Sequence, residues 1–176
     1  MRYFLLFLLL FSTASNGSQS ARPCTKAWVF FDLGNTIVDT RTYNYEKIFY
    51  IPGALEYLNE LKHKGYKLGL IINIPEEWGQ TYSKKIKALK DFIQASWTDP
   101  QPMTWELFNA GIFVPSKDIY RKPHPYLFKK VVRRAARRGC KVIYQGEIKE
   151  ELEIAKQAGM VTHQVGTRPH FFMPLD

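Results

Sequence analysis

The sequence predicts an α/β fold in three layers, a Rossmann-like parallel sheet of five strands with helices on both faces. Three observations predict it. Short apolar runs recur along the chain, separated by segments of helical periodicity, the alternation that a parallel sheet with crossover helices requires. The runs are continuous rather than alternating, as in Trp28-Val29-Phe30-Phe31, the pattern of a strand buried on both faces. At 176 residues and 45% apolar content, the chain is one domain's worth and can bury a full core.

The first residues stand apart from that domain. Arg2 precedes the apolar run Tyr3–Phe11, and a small, polar stretch follows from Ser12 to Ala21. This layout is that of a secretory signal peptide cleaved between Ala14 and Ala21, and the run is too short for a membrane-spanning helix, which takes about 20 residues. The expected division is a leader over 1–21, the domain over 22–166 and a tail over 167–176, with a secreted or periplasmic location. In an oxidising compartment Cys24 and Cys140 are candidates for a disulfide.

The opening strand, Trp28–Phe31, runs into Asp32, a Gly34-Asn35 bend and Thr36. A carboxylate at the carboxyl end of a parallel strand sits where such sheets bind ligands, and it can serve as nucleophile, metal ligand or both. A plain helix-capping Asp is the alternative. Ile37–Tyr50 lacks periodicity and reads as a short aromatic flap or loop in which Tyr43, Tyr45, Phe49 and Tyr50 stack on a ligand or pack on the sheet edge. A helix follows over Ala54–Lys64, with Leu55, Leu58 and Leu61 at helical spacing and Gly65 past its end. Tyr66–Asn73 is the second strand, and a helical stretch runs from Pro75 to about Phe92.

Gln94–Met103 is irregular, Thr104–Asn109 holds one helical turn or two, and Ala110–Val114 is the third strand. The loop Tyr120–Pro125 opens an amphipathic helix, Tyr126–Arg138. Its inward positions are Leu127, Phe128, Val131, Val132, Ala135 and Ala136. Its outer face carries Lys129, Lys130, Arg133, Arg134, Arg137 and Arg138, a solvated face first and a stripe for nucleic acid or anionic lipid second. Lys141–Tyr144 leads into Gln145-Gly146-Glu147 as the fourth strand, Glu150–Ala158 is a helix, and Val161–Val165 is the fifth strand. The formal charge of +9 favours anionic partners without selecting one.

Four segments together resemble the haloacid dehalogenase superfamily over Trp28 to Val165. Asp32-Leu33-Gly34-Asn35-Thr36 is similar to its first motif, DxDx(T/V), and Leu70-Ile71-Ile72-Asn73 to the apolar strand that ends its second. Lys122-Pro123-His124-Pro125 matches the lysine context of the third. Gly146-Glu147-Ile148-Lys149-Glu150-Glu151 with Ala158-Gly159-Met160 matches the fourth. The resemblance implies phosphate-ester hydrolysis through an aspartyl-phosphate on Asp32, with Lys122 as a charge clamp and substrate contacts from Thr36, Asn73 and Lys122. It implies a divalent metal, Mg²⁺ or else Mn²⁺ or Ca²⁺, held by Asp32, Gly34, Glu147 and Glu151. Phosphoryl transfer is mainly positioning and charge neutralisation, so a site that collects cations suits it.

The sequence also departs from that family's pattern. Gly34 stands where the general acid belongs, and such help is worth about 10²–10⁴ in rate. Ile72 replaces a phosphate-binding hydroxyl, and Asn73 either offers an amide instead or caps the helix after it. Glu147 and Glu151 lengthen each acidic arm by about 1.5 Å, which strains Mg²⁺ geometry. Glu151 equally reads as a first-turn acid favoured by the helix dipole. The segments between motifs are too short for a cap domain, so an open site would admit a large phosphorylated substrate or be closed by a second copy of the chain. In this superfamily the first and fourth strands are neighbours. That places Cys24 and Cys140 together at the edge opposite Asp32 and Glu147, and implies the disulfide between them. Two functions compete: a slow or specialised hydrolase, and a catalytically inactive descendant that binds a partner or anion.

Overall fold

The computed structural model describes residues 24–166 and 172–174; the leader expected over 1–21 lies outside the described residues. Five strands form one sheet: β1 (Trp28–Phe31), β4 (Lys67–Ile71), β5 (Gly111–Phe113), β6 (Val142–Gly146) and β7 (Val161–Gln164), in the order β5-β4-β1-β6-β7. All four pairings are parallel, and the register sets Phe31 beside both Leu70 and Gln145. β1 is buried along its whole length, as its unbroken apolar run requires.

Helices α1 (Ala54–His63), α2 (Tyr82–Ser96), α3 (Tyr126–Ala136) and α4 (Lys149–Gln157) cover the two faces. One core gathers Val29, Phe31, Leu68, Leu70 and Leu58 under α1 and α2; the other gathers Phe30, Ile71, Phe128, Val131 and Tyr144 under α3 and α4. Alternate residues of β1 feed the two cores, which is why the sheet lies between two helical layers. Among the described residues no helix is long and apolar enough to cross a membrane.

The structure corrects several boundaries. The aromatic segment 37–50 is not wholly loop: its ends pair as two short antiparallel strands, β2 (Val38–Asp39) and β3 (Phe49–Tyr50). The helical stretch from Pro75 breaks at Gly79, into a 3₁₀ turn over Glu76–Trp78 and α2. Gly79 has φ 152°, and a Cβ there would stand 2.6 Å from Lys84 Cβ, so only glycine fits. Thr81 caps the new start by accepting from the Lys84 amide at 3.3 Å, and α2 runs on through Ser96 rather than fraying near Phe92. Ala136, expected inside, is exposed because α3 ends there.

Cys24 and Cys140 are bonded, with Cα atoms 5.0 Å apart. Phe172 and Met173 pack on the core. Phe172 stacks on Tyr57 at 4.5 Å; Tyr57 Oη donates to the Met173 carbonyl at 2.6 Å, and the Met173 amide donates to Gln145 Oε1 at 2.9 Å.

Candidate functional site

Asp32 extends the sheet ladder one step past β1, its amide donating to the Gln145 carbonyl at 3.0 Å. The chain then bends. Asn35 takes a left-handed backbone (φ 53°), which asparagine tolerates better than most side chains, and its amide donates to the Val38 carbonyl at 2.6 Å. Its side-chain oxygen accepts from the amide and hydroxyl of Thr40, both at 3.2 Å. The turn therefore sets Asp32, Gly34 and Asn35 along one wall of a cavity of about 560 Å³.

Lys122 reaches under that wall. Its ammonium lies 2.8 Å from Asp32 Oδ1 and 2.8 Å from Glu151 Oε2, and it donates to Tyr144 Oη at 3.0 Å; Tyr144 donates in turn to Glu151 Oε2 at 3.0 Å. The lysine side chain is 1% exposed and that of Asp32 14%. Burial pulls the Lys122 pKa down, but Asp32 and Glu151 more than offset it, so it rises above the ordinary lysine value. An ammonium shared between two carboxylates is thus a fixed charge. Burial pushes Tyr144 well above the ordinary phenol value, with Asp32 and Glu151 adding to it, so it stays a neutral donor. Glu151 is raised by burial, with Lys122 pulling it back.

The third acid, Glu147, expected at the end of the fourth strand, stands one residue past β6 and lines the same cavity. Arg41 Nη2 donates to its Oε1 at 2.7 Å, and Asn35 Nδ2 reaches the same oxygen at 3.5 Å. Burial raises its pKa, Arg41 lowers it, and the net shift is upward. The Arg41 side chain is 68% exposed, while its backbone amide donates to Asp39 Oδ1 at 3.0 Å.

Several expectations about these side chains change. Thr36, expected to touch substrate, is fully buried beneath the turn and takes no part in the cavity wall, because its segment folds back onto the Leu33 carbonyl. Asn73 lines the cavity, but its amide is committed. It donates to the Lys122 carbonyl at 2.8 Å while its oxygen accepts the Lys122 amide at 2.6 Å. Asn73 is therefore a positioning residue, a two-bond brace between the end of β4 and the loop that carries the lysine. Glu151, expected on a metal, places Oε2 against both Lys122 and Tyr144. Ile72 lines the cavity without closing it. Lys129, Lys130, Arg133 and Arg134 of α3, with Arg137 and Arg138 just past its end, lie outside the cavity wall.

Tyr144, Arg41 and Asn35 were not singled out in the sequence. Tyr144 carried one usable signal, a polar tip within a strand otherwise read as buried. Arg41 carried none, since an arginine in a flap of mixed polarity is usually solvated.

Among the described residues no three Asp, Glu, His or Cys side chains gather closely enough to hold a metal ion by themselves. Mg²⁺ is often held by only one or two carboxylates, completed by substrate phosphate and water. Asp32 and Glu147 fit that role. Each keeps a second oxygen that accepts no hydrogen bond from a described residue, and Gly34 stands on the same wall.

No protein-family model matches this sequence, and no curated protein does. Solved structures do. D,D-heptose 1,7-bisphosphate phosphatase from B. bronchiseptica, complexed with magnesium and phosphate, is similar at TM-score 0.54 and 17% identity, over 77% of this chain and 78% of that one. A HAD-superfamily hydrolase from Ehrlichia chaffeensis is similar at TM-score 0.55 and 16% identity, over 81% and 90%. A HAD family enzyme from Bacteroides thetaiotaomicron, with magnesium and inorganic phosphate, gives TM-score 0.53 and 13% identity, over 80% and 94%. At these identities the likeness shows the fold, and the fold is haloacid dehalogenase-like.

Proposed function

We propose that the protein hydrolyses phosphate monoesters through an aspartyl-phosphate on Asp32. One observation carries the reading: an Asp carboxylate, locked on one oxygen by the buried ammonium of Lys122, lines a cavity of ligand size with its second oxygen uncommitted. Lys122 holds Asp32 ionised and oriented, so the second oxygen can attack phosphorus in line with the departing group. The exposed Arg41 is placed to exchange Glu147 for a phosphate oxygen, and Arg121 adds positive charge on the same wall. A divalent cation, Mg²⁺ or else Mn²⁺ or Ca²⁺, would be held by Asp32, Glu147 and the Gly34 carbonyl, and would supply charge neutralisation at the phosphate. Water then attacks phosphorus and releases the Asp32 carboxylate. The structural neighbours solved with magnesium and phosphate support this reading.

A secreted or periplasmic site of action belongs to the same proposal, supported by the disulfide. A second reading, an anion-binding protein without turnover, is favoured by one observation. Asn73, the polar side chain that follows β4 on the cavity wall, is tied to the Lys122 backbone.

One assay separates the two. Phosphate release from a panel of phosphate esters is measured with Mg²⁺, Mn²⁺, Ca²⁺ and chelator, on the wild type and on Asp32→Asn. The proposal expects Asp32-dependent release. Equal residual rates in both proteins, with inorganic phosphate still bound, would leave the anion-binding reading standing and end the enzymatic one.

A further inference from the structure

The cavity has two unlike sides. The charged side is formed by Asp32, Lys122, Glu147 and Arg41. The other side is apolar: Ile72, Ile74 and Ile93 line it, with the rings of Tyr45, Trp78 and Phe92. Phe92 is the centre of this wall. Its ring lies 5.1 Å from Trp78 and 5.9 Å from Tyr45, centroid to centroid, tilted 51° and 57°. Ile72, Ile74 and Ile93 are buried, whereas Trp78 and Phe92 are only half-buried and Tyr45 is exposed, so all three rings keep surface open to a ligand.

The wall is held in place from two directions. Gly79 breaks the chain after Trp78 and lets α2 turn back, bringing Phe92 against the Trp78 ring. The buried Lys85 then pins α2 by donating to the Pro115 carbonyl at 2.8 Å. Trp78 and Phe92 come from different elements, and their meeting beside Asp32 is a product of this packing.

The proton inventory narrows the choice further. Each carboxylate of the cavity already accepts from a cation: Asp32 and Glu151 from Lys122, and Glu147 from Arg41. The residue two after Asp32 is Gly34, which has no side chain to donate from. Among the described residues every carboxylate of the cavity wall is paired with a cation and none stands at the position of Gly34, so an ester whose leaving group departs as a stable anion suits the site best. Aryloxides do so readily; alkoxides do not.

We propose that the substrates are aryl phosphate monoesters, with the aromatic ring seated against Tyr45, Trp78 and Phe92 and the phosphate at Asp32. This rests on the hydrolase reading above. In the first step Asp32 forms an O–P bond, the ester P–O bond breaks, and the aryloxide leaves with the electron pair, taking a proton from solvent. In the second step a water oxygen bonds to phosphorus, the Asp32 O–P bond breaks, and the water proton passes to solvent. The cavity of about 560 Å³ suits a single-ring ester. Offset and edge-on ring contacts of this kind are worth roughly 0.5–1.5 kcal/mol beyond area burial, or up to about tenfold in affinity.

The test has two arms, and the first needs no turnover. Calorimetry compares phenylphosphonate, which cannot be hydrolysed, with methylphosphonate, on the wild type, Trp78→Ala, Phe92→Ala and, as a control outside the cavity, Ile119→Ala. The proposal expects phenylphosphonate to bind about tenfold more tightly than methylphosphonate, the advantage to shrink in Trp78→Ala and Phe92→Ala, and Ile119→Ala to match the wild type. Equal affinities for the two ligands in the unmutated protein overturn it, whatever the variants do. The second arm measures kcat/KM for substituted phenyl phosphates against cyclohexyl phosphate. A steep fall with rising leaving-group pKa is expected, with cyclohexyl phosphate slowest; cyclohexyl turnover equal to phenyl overturns the aryl assignment. Selective phenylphosphonate binding without Asp32-dependent hydrolysis of any ester sinks the hydrolase reading while leaving the aromatic seat intact.

Discussion

Replacing Lys122 with methionine removes one ammonium and strands two carboxylates. At 2.8 Å, with an effective dielectric constant of about 20, each contact is worth roughly 6 kcal/mol of attraction before desolvation. Most of that offsets the cost of burying the three charges. What the variant loses is set by the acids left behind, and breaking a buried pair costs about 3–5 kcal/mol. The lysine side chain is 1% exposed, so solvent screening gives little relief. The total stability of a domain is only about 5–15 kcal/mol, so the loss should be plain in urea unfolding followed by circular dichroism, with an unchanged slope. Adding Glu151→Gln to Lys122→Met removes one stranded charge while an amide oxygen still accepts from Tyr144. The double variant should regain at least about 1 kcal/mol of the loss. A single variant costing less than about 1 kcal/mol, or a double variant weaker than the single, would refute the buried charged trio. Both variants should lose Asp32-dependent phosphate release, since each lacks the group that orients the nucleophile.

Two further outcomes follow from features away from the cations. Burial pushes the Tyr57 pKa up to about 12, from an ordinary value of 10, while the phenol bridges Gln145 and the Met173 carbonyl. The folded state therefore favours the protonated phenol. Its contribution is fully present below pH 10 and is lost as pH rises toward 12. The stability difference between wild type and Tyr57→Phe should shrink across that window, and a constant difference would count against the bridge. The disulfide closes a loop with a sequence separation of 116, which on the chain-entropy account is worth about 5 kcal/mol. Dithiothreitol, or Cys24→Ser with Cys140→Ser, should lower the urea midpoint strongly, and an unchanged midpoint would show that the bond does not constrain the unfolded chain.

The gross architecture was legible in the residues because its cause is local. Burial on both faces demands an unbroken apolar run, crossover helices demand helical spacing, and β1, β4, β6 and α3 lie close to where those patterns stood. Parallel strands end at a common rim, which is why Asp32, Glu147 and the loop bearing Lys122 could be placed together without coordinates. The same register brought Cys24 to Cys140.

Partner choice was not legible, because it is settled by competition among groups that only the folded chain brings within reach. Asn73 had a capping role and a ligand role open to it, and the Lys122 backbone, 49 residues away, took both ends of its amide. Nothing in the local pattern of Glu151 shows that its carboxylate meets the Lys122 ammonium and the Tyr144 hydroxyl, which come from a distant loop and a neighbouring strand. Thr36 went inside because the turn after Asp32 closed on the Leu33 carbonyl. Trp78 and Phe92 are 14 residues apart in the sequence, and only the fold-back of α2 at Gly79 sets their rings side by side. Periodicity along the chain thus determined the layers and the rim. Long-range hydrogen bonding and packing, which no local pattern encodes, decided what each side chain at that rim is free to do.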